Sequence, residues 1–331
     1  MKRVWWLVLG ASLVMVLGAA YSARAWYAGA LQPVGRGPSR LVLIKPGDSQ
    51  EAIGAKLLRA GVIRSLPAWK LRARGAAAAQ PGSYRVSSAD SVDELLRRFA
   101  AAETADVRVT FPEGFTLNQC AERAAARGIS TRTAYLAAAT AANPAAASWK
   151  LKATDSLEGY LFPDTYLVPL PASAEALVAM QIHRFDDIWA KIDGEAKRGS
   201  RSQHEIVVTA SLIERETRHD DERARIAGVI ANRLRRGMRL QIDATVLYAL
   251  GQHKDRVLYR DLEVDSPYNT YKVSGLPPGP ICCPGRPSLE AALSPEQHDY
   301  LYYVLGPDGR HVFTRTLAEH NAAKARRTAG G

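Results

Sequence analysis

Cysteine is scarce in this chain: three among 331 residues, Cys120, Cys282 and Cys283. No C-x-x-C pair occurs, which argues against a structural zinc site or a thioredoxin-like redox motif. Adjacent cysteines rarely bond to each other, because the geometry is strained. Unpaired buried thiols are therefore the expectation for all three, with a bridge from Cys120 to one of the pair left open. Also lacking is any dense Lys/Arg tract with interleaved aromatics. The formal net charge of +11 comes instead from arginines scattered through helical segments, such as Arg97-Arg98 and Arg233 to Arg239. That pattern gives no nucleic-acid motif, and no nucleic-acid partner is expected. The acidic run "HDDE" at His219–Glu222 sits where a helix begins and reads as caps and dipole partners rather than metal ligands. No metal or cofactor is expected.

Long apolar runs are missing too, with one exception. "VWWLVLGASLVMVLGAAY", Val4 to Tyr21, is uncharged, follows Lys2-Arg3 and carries Trp5, Trp6 and Tyr21 near its ends. It is at the lower limit of a bilayer-spanning helix, with its basic flank cytoplasmic and its aromatics at the two interfaces. "SARA", Ser22–Ala25, would suit a cleaved signal peptide, but the run exceeds the usual h-region. The expectation is an uncleaved, single-pass signal anchor over residues 1–25 in the inner membrane. Its N-terminus is then cytoplasmic and the rest lies outside, where a nucleotide substrate is scarce.

What remains is ordinary globular sequence, 47% hydrophobic and 23% charged. Residues 26–40 are rich in Pro and Gly and read as a linker. Residues 41–105 read as a small α+β module: a strand at "LVLIKPG", a helix from about Ser49 to Ala60, another over Leu66 to Arg74, a strand at "GSYRVS", and a helix capped by Ser91 with Glu94 three residues on. Residues 106–331 read as a larger mixed α+β domain. It has helices at about Leu117–Arg127, Thr131–Ala142 and Ser173–Lys197, a helix over the "DERARIAGVIANRLRRGM" stretch, a hairpin through "YLYYVLGPDGRHVFTRT", and a last helix over Thr316–Arg327. "LEGYLFPDTYLVP", Leu157 to Pro169, suits either the wall of a site or a buried turn with its Tyr hydroxyls satisfied locally.

"ASLIERET", Ala210 to Thr217, places two glutamates on an apolar helix. At about 100° per residue, Glu216 falls beside Glu205 and Thr209 on a polar strip, whereas Glu214 falls between Ala210 and Val207. Glu216 then reads as a solvated or salt-bridged surface residue. A carboxyl held against apolar surface has its charged form disfavoured and suits a general acid. The structural alternative for Glu214 is an ion pair with Arg218, Arg233 or Arg239. "SPYNTYKVSGLPPGPICCPGRPSLEAAL" adds aromatic and amide groups suited to a carbohydrate groove or to a rigid loop.

Together the blocks "LEGYLFPDTY", "ASLIERET", "VIANRLRRGMRLQIDATVLYALG", "SPYNTYKVSGLPPGPI" and "LYYVLGPDGRHVFTRTLAEHN" resemble the YceG-like family of endolytic murein transglycosylases over roughly Val107 to Ala325. The 41–105 module resembles that family's LysM-like subdomain. The resemblance implies an inner-membrane enzyme that cuts nascent peptidoglycan strands at the MurNAc–GlcNAc β-1,4 bond and leaves 1,6-anhydro-MurNAc ends. It implies Glu214 as the catalytic acid and peptidoglycan synthases as possible partners. Cys283 departs from the polar residue often found there. One carboxyl can act as acid and then base in such a reaction, whereas a hydrolase would call on a second carboxylate. Glu158 and Asp243 are the candidates for that second group, and Tyr160, Gln241, Tyr268, Asn269 and Tyr271 the expected sugar contacts. The alternatives are a muramidase acting on the same bond and a non-catalytic envelope module that binds glycan.

Overall fold

The fold was examined in a computed structural model that describes residues 2–149, 151, 155–193, 198–251 and 257–329, with side chains described for these except 2–9 and 327–329. It is a mixed α+β protein that divides into two units. Residues 1–107 with 167–171 form one, and 108–166 with 172–331 the other.

The first unit begins with helix α1 (Lys2–Leu31). Among the described residues no helix is long and apolar enough to cross a membrane. The expected span at Val4–Tyr21 therefore finds no support there. Side chains Val4 to Leu9 lie outside the described residues, and the remainder of α1 runs on through Ser22, Arg24 and Tyr27, which dilute its apolar character. After α1 come β1 (Arg40–Ile44), α2 (Gln50–Arg59), α3 (Leu66–Ala73), β2 (Gly82–Val86) and α4 (Val92–Ala100). Ser49, Ser65 and Ser91 each accept a backbone N–H at the start of the helix they precede, satisfying one of its orphan donors. Strands β1 and β2 pair antiparallel, with Val42 opposite Tyr84. Alternation along β1 sends Val42 and Ile44 inward, where they meet Leu57, Trp69, Tyr84, Leu95 and Phe99. Trp69, Tyr84 and Phe99 are fully buried, and each contributes about 1.5–3 kcal/mol by leaving water. The Trp69 Nε1–H donates to Gln50 O and the Tyr84 hydroxyl to Gln80 O, so neither ring strands a polar atom.

The second unit is mainly helical. Strand β3 (Val107–Thr110) leads into the turn Pro112–Phe115, then α5 (Leu117–Ala126) and α6 (Arg132–Ala138). Strand β4 (Thr165–Val168) follows, then α7 (Ala174–Ile192), α8 (Gln203–Glu216), α9 (Asp220–Arg235), α10 (Asp243–Leu250), α11 (Arg286–Leu293), the hairpin β5 (Tyr302–Leu305) and β6 (His311–Thr314), and α12 (Leu317–Ala329). α7 ends at Ile192; the expected continuation over Glu195–Lys197 lies outside the described residues. Helix α8 is central. Ile206 through Ile213 are all buried, and α9 and α11 pack on it. It starts in a capping box between Ser202 and Glu205. With buried faces on nearly every side, a polar side chain on α8 needs a partner or a cavity.

Candidate active site

The two glutamates of α8 do diverge, but their surroundings are the reverse of the expectation. The Glu214 side chain is only 7% exposed and is fully partnered. Its Oε2 accepts the Gly285 N–H at 3.0 Å, at the N-terminus of α11, where the helix dipole favours an anion. Its Oε1 lies 3.4 Å from Arg223 Nη1. The expected arginine partners, Arg218, Arg233 and Arg239, are not the ones used. Arg223 Nη1 also donates to Ser288 Oγ at 2.6 Å and its Nε to Asp220. Beside this network, the Glu113 carboxyl packs against Gly285, so that a Cβ there would stand 2.0 Å from its Oε1 and would displace it. Burial, and then repulsion from Glu214, raises the Glu113 carboxyl above its ordinary range.

Glu216, expected on a solvated strip, instead lines a cavity of about 560 Å³ together with Gln241, Asp243, Tyr271, Tyr303 and His311. The strip is exposed at Glu205, one end of α8, but at Glu216 it is covered by the β5–β6 hairpin. A helical wheel drawn on α8 alone contains no information about that cover. Burial pushes the Glu216 carboxyl up, against a hydrogen bond from the Tyr303 hydroxyl and attraction from His311.

The hairpin sets this wall. Tyr303 pairs with Phe313 and Leu305 with His311, so Tyr303 and His311 are diagonal neighbours, with rings 5.3 Å apart and perpendicular. His311 is held from behind by Glu222: Nδ1 is 2.8 Å from Oε2, and the His311 N–H donates to Oε1 at 2.9 Å. Burial opposes the charge on Glu222, yet the hydrogen bonds from His311 and Thr217 bring its carboxyl below the usual range. The opposite wall comes from two loops zipped together. Gln241 N–H donates to Thr270 O at 3.1 Å, and Ile242 N–H to Thr270 Oγ1 at 3.0 Å. Gln241 has φ +54°, a left-handed conformation that costs a non-glycine residue energy and that clusters at functional sites. The Tyr271 hydroxyl donates to Asp243 Oδ1 at 2.5 Å. Below, Arg233 fixes the floor by donating to the carbonyls of Leu301 and Leu240.

Of the residues expected in the site, Gln241, Asp243 and Tyr271 therefore meet at one cavity, with Glu216. Glu158, Tyr160, Tyr268 and Asn269 do not line it. Glu158 is buried, accepts Leu117 N–H at 2.8 Å and the Tyr248 hydroxyl at 3.4 Å, and is pushed up to about 7 by burial. Tyr160 sits among Trp149, Phe185 and His204, with its hydroxyl 2.9 Å from His204 Nδ1. The Tyr268 ring packs on Tyr248. Asn269 is fully buried; its amide donates to Leu262 O and Val264 O, and its carbonyl accepts Tyr271 N–H. Its hydrogen bonds hold the loop that delivers Tyr271. The segment "LEGYLFP" is thus a buried turn. Tyr303 and His311 were missed because they lie on a hairpin remote in sequence.

The match to the YceG-like family model spans residues 42–326. The chain belongs to the YceG-like family. Among its relatives, an endolytic murein transglycosylase of Bacillus subtilis (strain 168) is 38% identical over 312 residues, covering 89% of this chain and 87% of the relative. An endolytic murein transglycosylase of Streptococcus pneumoniae (strain D39) is 27% identical, covering 93% of this chain and 62% of that protein. The crystal structure of a YceG-like protein from Listeria monocytogenes superimposes with a TM-score of 0.59 at 35% identity, covering 86% of this chain and 98% of that one. The cavity and the Glu214 network both fall within the family match.

Proposed function

We propose that this YceG-like chain is an endolytic murein transglycosylase whose catalytic acid lies on α8. The family resemblance implies Glu214, and one observation argues for Glu216 instead: Glu216 opens on the cavity, while Glu214 accepts the Gly285 N–H and pairs with Arg223. Protonated Glu216 donates to the glycosidic oxygen between MurNAc and GlcNAc. The resulting carboxylate then takes the proton of the C6 hydroxyl of the same MurNAc as that oxygen closes the 1,6-anhydro ring. A carboxyl raised by burial, in a polar cavity, fits both half-reactions. Gln241, Tyr271 and His311 line the same cavity, which supports them as sugar contacts.

A hydrolytic reading draws on a different observation: Asp243 lines the same cavity and could activate a water. Digestion of sacculi followed by product mass analysis separates the two. Anhydro ends, lighter by one water than reducing ends, support the transglycosylase, and reducing ends alone would establish the muramidase. Loss of all products in Glu216→Gln, with Glu214→Gln still active, supports the choice of acid; the opposite pattern refutes it.

The first unit, with helices α2 and α3 between paired strands β1 and β2, suits a LysM-like glycan-binding module. Attachment to the inner membrane, with the catalytic unit outside the cytoplasm, is supported by Leu13 to Leu17 of α1, all at least 59% exposed, since a helix apolar all round calls for an apolar environment. Membrane flotation of the full chain against a chain lacking α1 tests this: equal partition would refute it. Partnership with peptidoglycan synthases would follow from acting on nascent strands, and co-purification is its test.

A further inference from the structure

One member of the acidic run at the start of α9 does not face solvent. Asp220 and Asp221 are exposed and pair with Arg223 and Arg310, whereas Glu222 is buried and turns to the β5–β6 hairpin. Three donors meet its two oxygens. The His311 backbone N–H donates to Oε1 at 2.9 Å, the Thr217 hydroxyl donates to Oε2 at 3.0 Å, and His311 Nδ1 lies 2.8 Å from the same Oε2. Burial works against the charge on Glu222, but these hydrogen bonds bring its carboxyl below the usual range. An ionised carboxylate only accepts, so the proton in the 2.8 Å contact is on Nδ1. A neutral imidazole with its proton on Nδ1 carries its lone pair on Nε2. That nitrogen has no hydrogen-bond partner among the described residues, and it is not sealed from solvent. Its ring lines the cavity that holds Glu216 and packs edge-on against the Tyr303 ring. His204 and His298 differ: each has both ring nitrogens engaged by protein groups, as a purely structural histidine would.

We propose that Glu222 and His311 form a dyad: Glu222 holds His311 in one tautomer, and the Nε2 lone pair accepts a hydrogen bond from an O–H or N–H of the sugar bound in the Glu216 cavity. The proposal rests on the reading of this cavity as a glycan site and does not depend on which glutamate is the acid. Glu222 is a positioning residue, because it acts through His311. The Nε2 acceptor selects donors: a ring hydroxyl or an acetamido N–H satisfies it, and an ether or carbonyl oxygen does not. No proton changes hands in this contact.

Nitrogen NMR of the full chain with isotope-labelled histidine, at about pH 8, reads the tautomer directly, since an ordinary imidazole is neutral there. The His311 signals are assigned through the neighbouring Tyr303 and Phe313 rings. A single proton on Nδ1 is expected; a proton on Nε2, alone or together with one on Nδ1, would overturn the proposal. Glu222→Gln offers one oxygen where the His311 N–H and Nδ1 use two, so Nε2–H should appear in it; a tautomer unchanged from wild type would remove Glu222 from the dyad. On soluble uncrosslinked glycan strands, His311→Leu should raise KM about tenfold and lower kcat less than threefold, the pattern of a lost binding contact. His311→Gln, whose carbonyl can accept the same bond, should recover part of that loss. A wild-type KM in His311→Leu would refute this inference alone, whereas a wild type that releases no glycan products would refute the proposed function. The tautomer is read on the unmutated protein, so that result stands even if the variants fold poorly.

Discussion

Glu214 and Glu216 stand two residues apart on one helix and meet different surroundings. Glu214 faces the N-terminus of α11 and the Arg223 guanidinium, so its contacts link α8 to α9 and α11. Glu216 faces a cavity walled by a hairpin and a loop, and burial there favours its proton. The difference lies in what covers each side chain. Glu216 shares its cavity with Tyr303, His311 and Asp243, and burial raises its carboxyl above the ordinary range.

The largest effect that would sharpen this contrast is in activity. Glu216→Gln should lower turnover of peptidoglycan strands by about 10²–10⁴-fold, the usual worth of a positioned general acid. Its thermal melting should stay close to wild type, because no buried ion pair is broken. Release of muropeptides at the wild-type rate would end the comparison. Glu214→Gln should behave in the converse way. It leaves Arg223 without its 3.4 Å carboxylate partner and keeps an oxygen for Gly285 N–H. Removing one partner of a buried pair costs up to about 3–5 kcal/mol, and the retained hydrogen bond and Arg223's links to Ser288 and Asp220 reduce that to about 1–3 kcal/mol of stability. Activity per folded molecule should fall less than tenfold. Denaturant titration beside an activity assay checks both halves.

Much of the secondary structure was legible from local signals. Ser91 caps the helix it was expected to cap, and the hairpin centred on Pro307–Gly309 closes as its turn residues dictate. The spacing that separated the two glutamates was also legible, since it depends only on helical periodicity. What covers each was not. Arg223 and Gly285 reach Glu214 from α9 and the start of α11, and Tyr303 and His311 share the Glu216 cavity from a hairpin far along the chain. Composition misled at Asn269 and Glu158, where polar residue types that suit a sugar groove serve buried backbone groups instead. Gln241, Asp243 and Tyr271, all expected near the substrate, do line one cavity with Glu216.

Glu158 offers a third kind of carboxyl, buried and outside both networks. Its folded-state value is pushed up to about 7, from 4.5. The folded protein therefore holds a proton that the unfolded chain releases between those values, so stability falls as pH rises through that window. The slope should amount to about 3 kcal/mol across it, at about 1.4 kcal/mol per unit. Glu158→Gln cannot ionise and should flatten that part of the stability curve, raising relative stability at pH 7 and above. Urea midpoints at pH 5 and pH 8 would reveal it. An unchanged pH slope would place the titration elsewhere.

The smallest predicted effect addresses Glu216 directly. The Tyr303 hydroxyl bonds to its carboxyl and lowers its proton affinity, opposing the larger effect of burial. Tyr303→Phe removes that bond while keeping the ring against His311. The Glu216 carboxyl should then rise further. A general acid works while protonated, so the high-pH limb of the kcat/KM profile should move to higher pH, by less than one unit for one lost hydrogen bond of about 0.5–1.5 kcal/mol. The low-pH limb should not follow it. If Glu214 were instead the acid, Tyr303→Phe would leave the high-pH limb where it was, because Tyr303 bonds to Glu216 and the Glu214 carboxyl is engaged by Gly285 and Arg223.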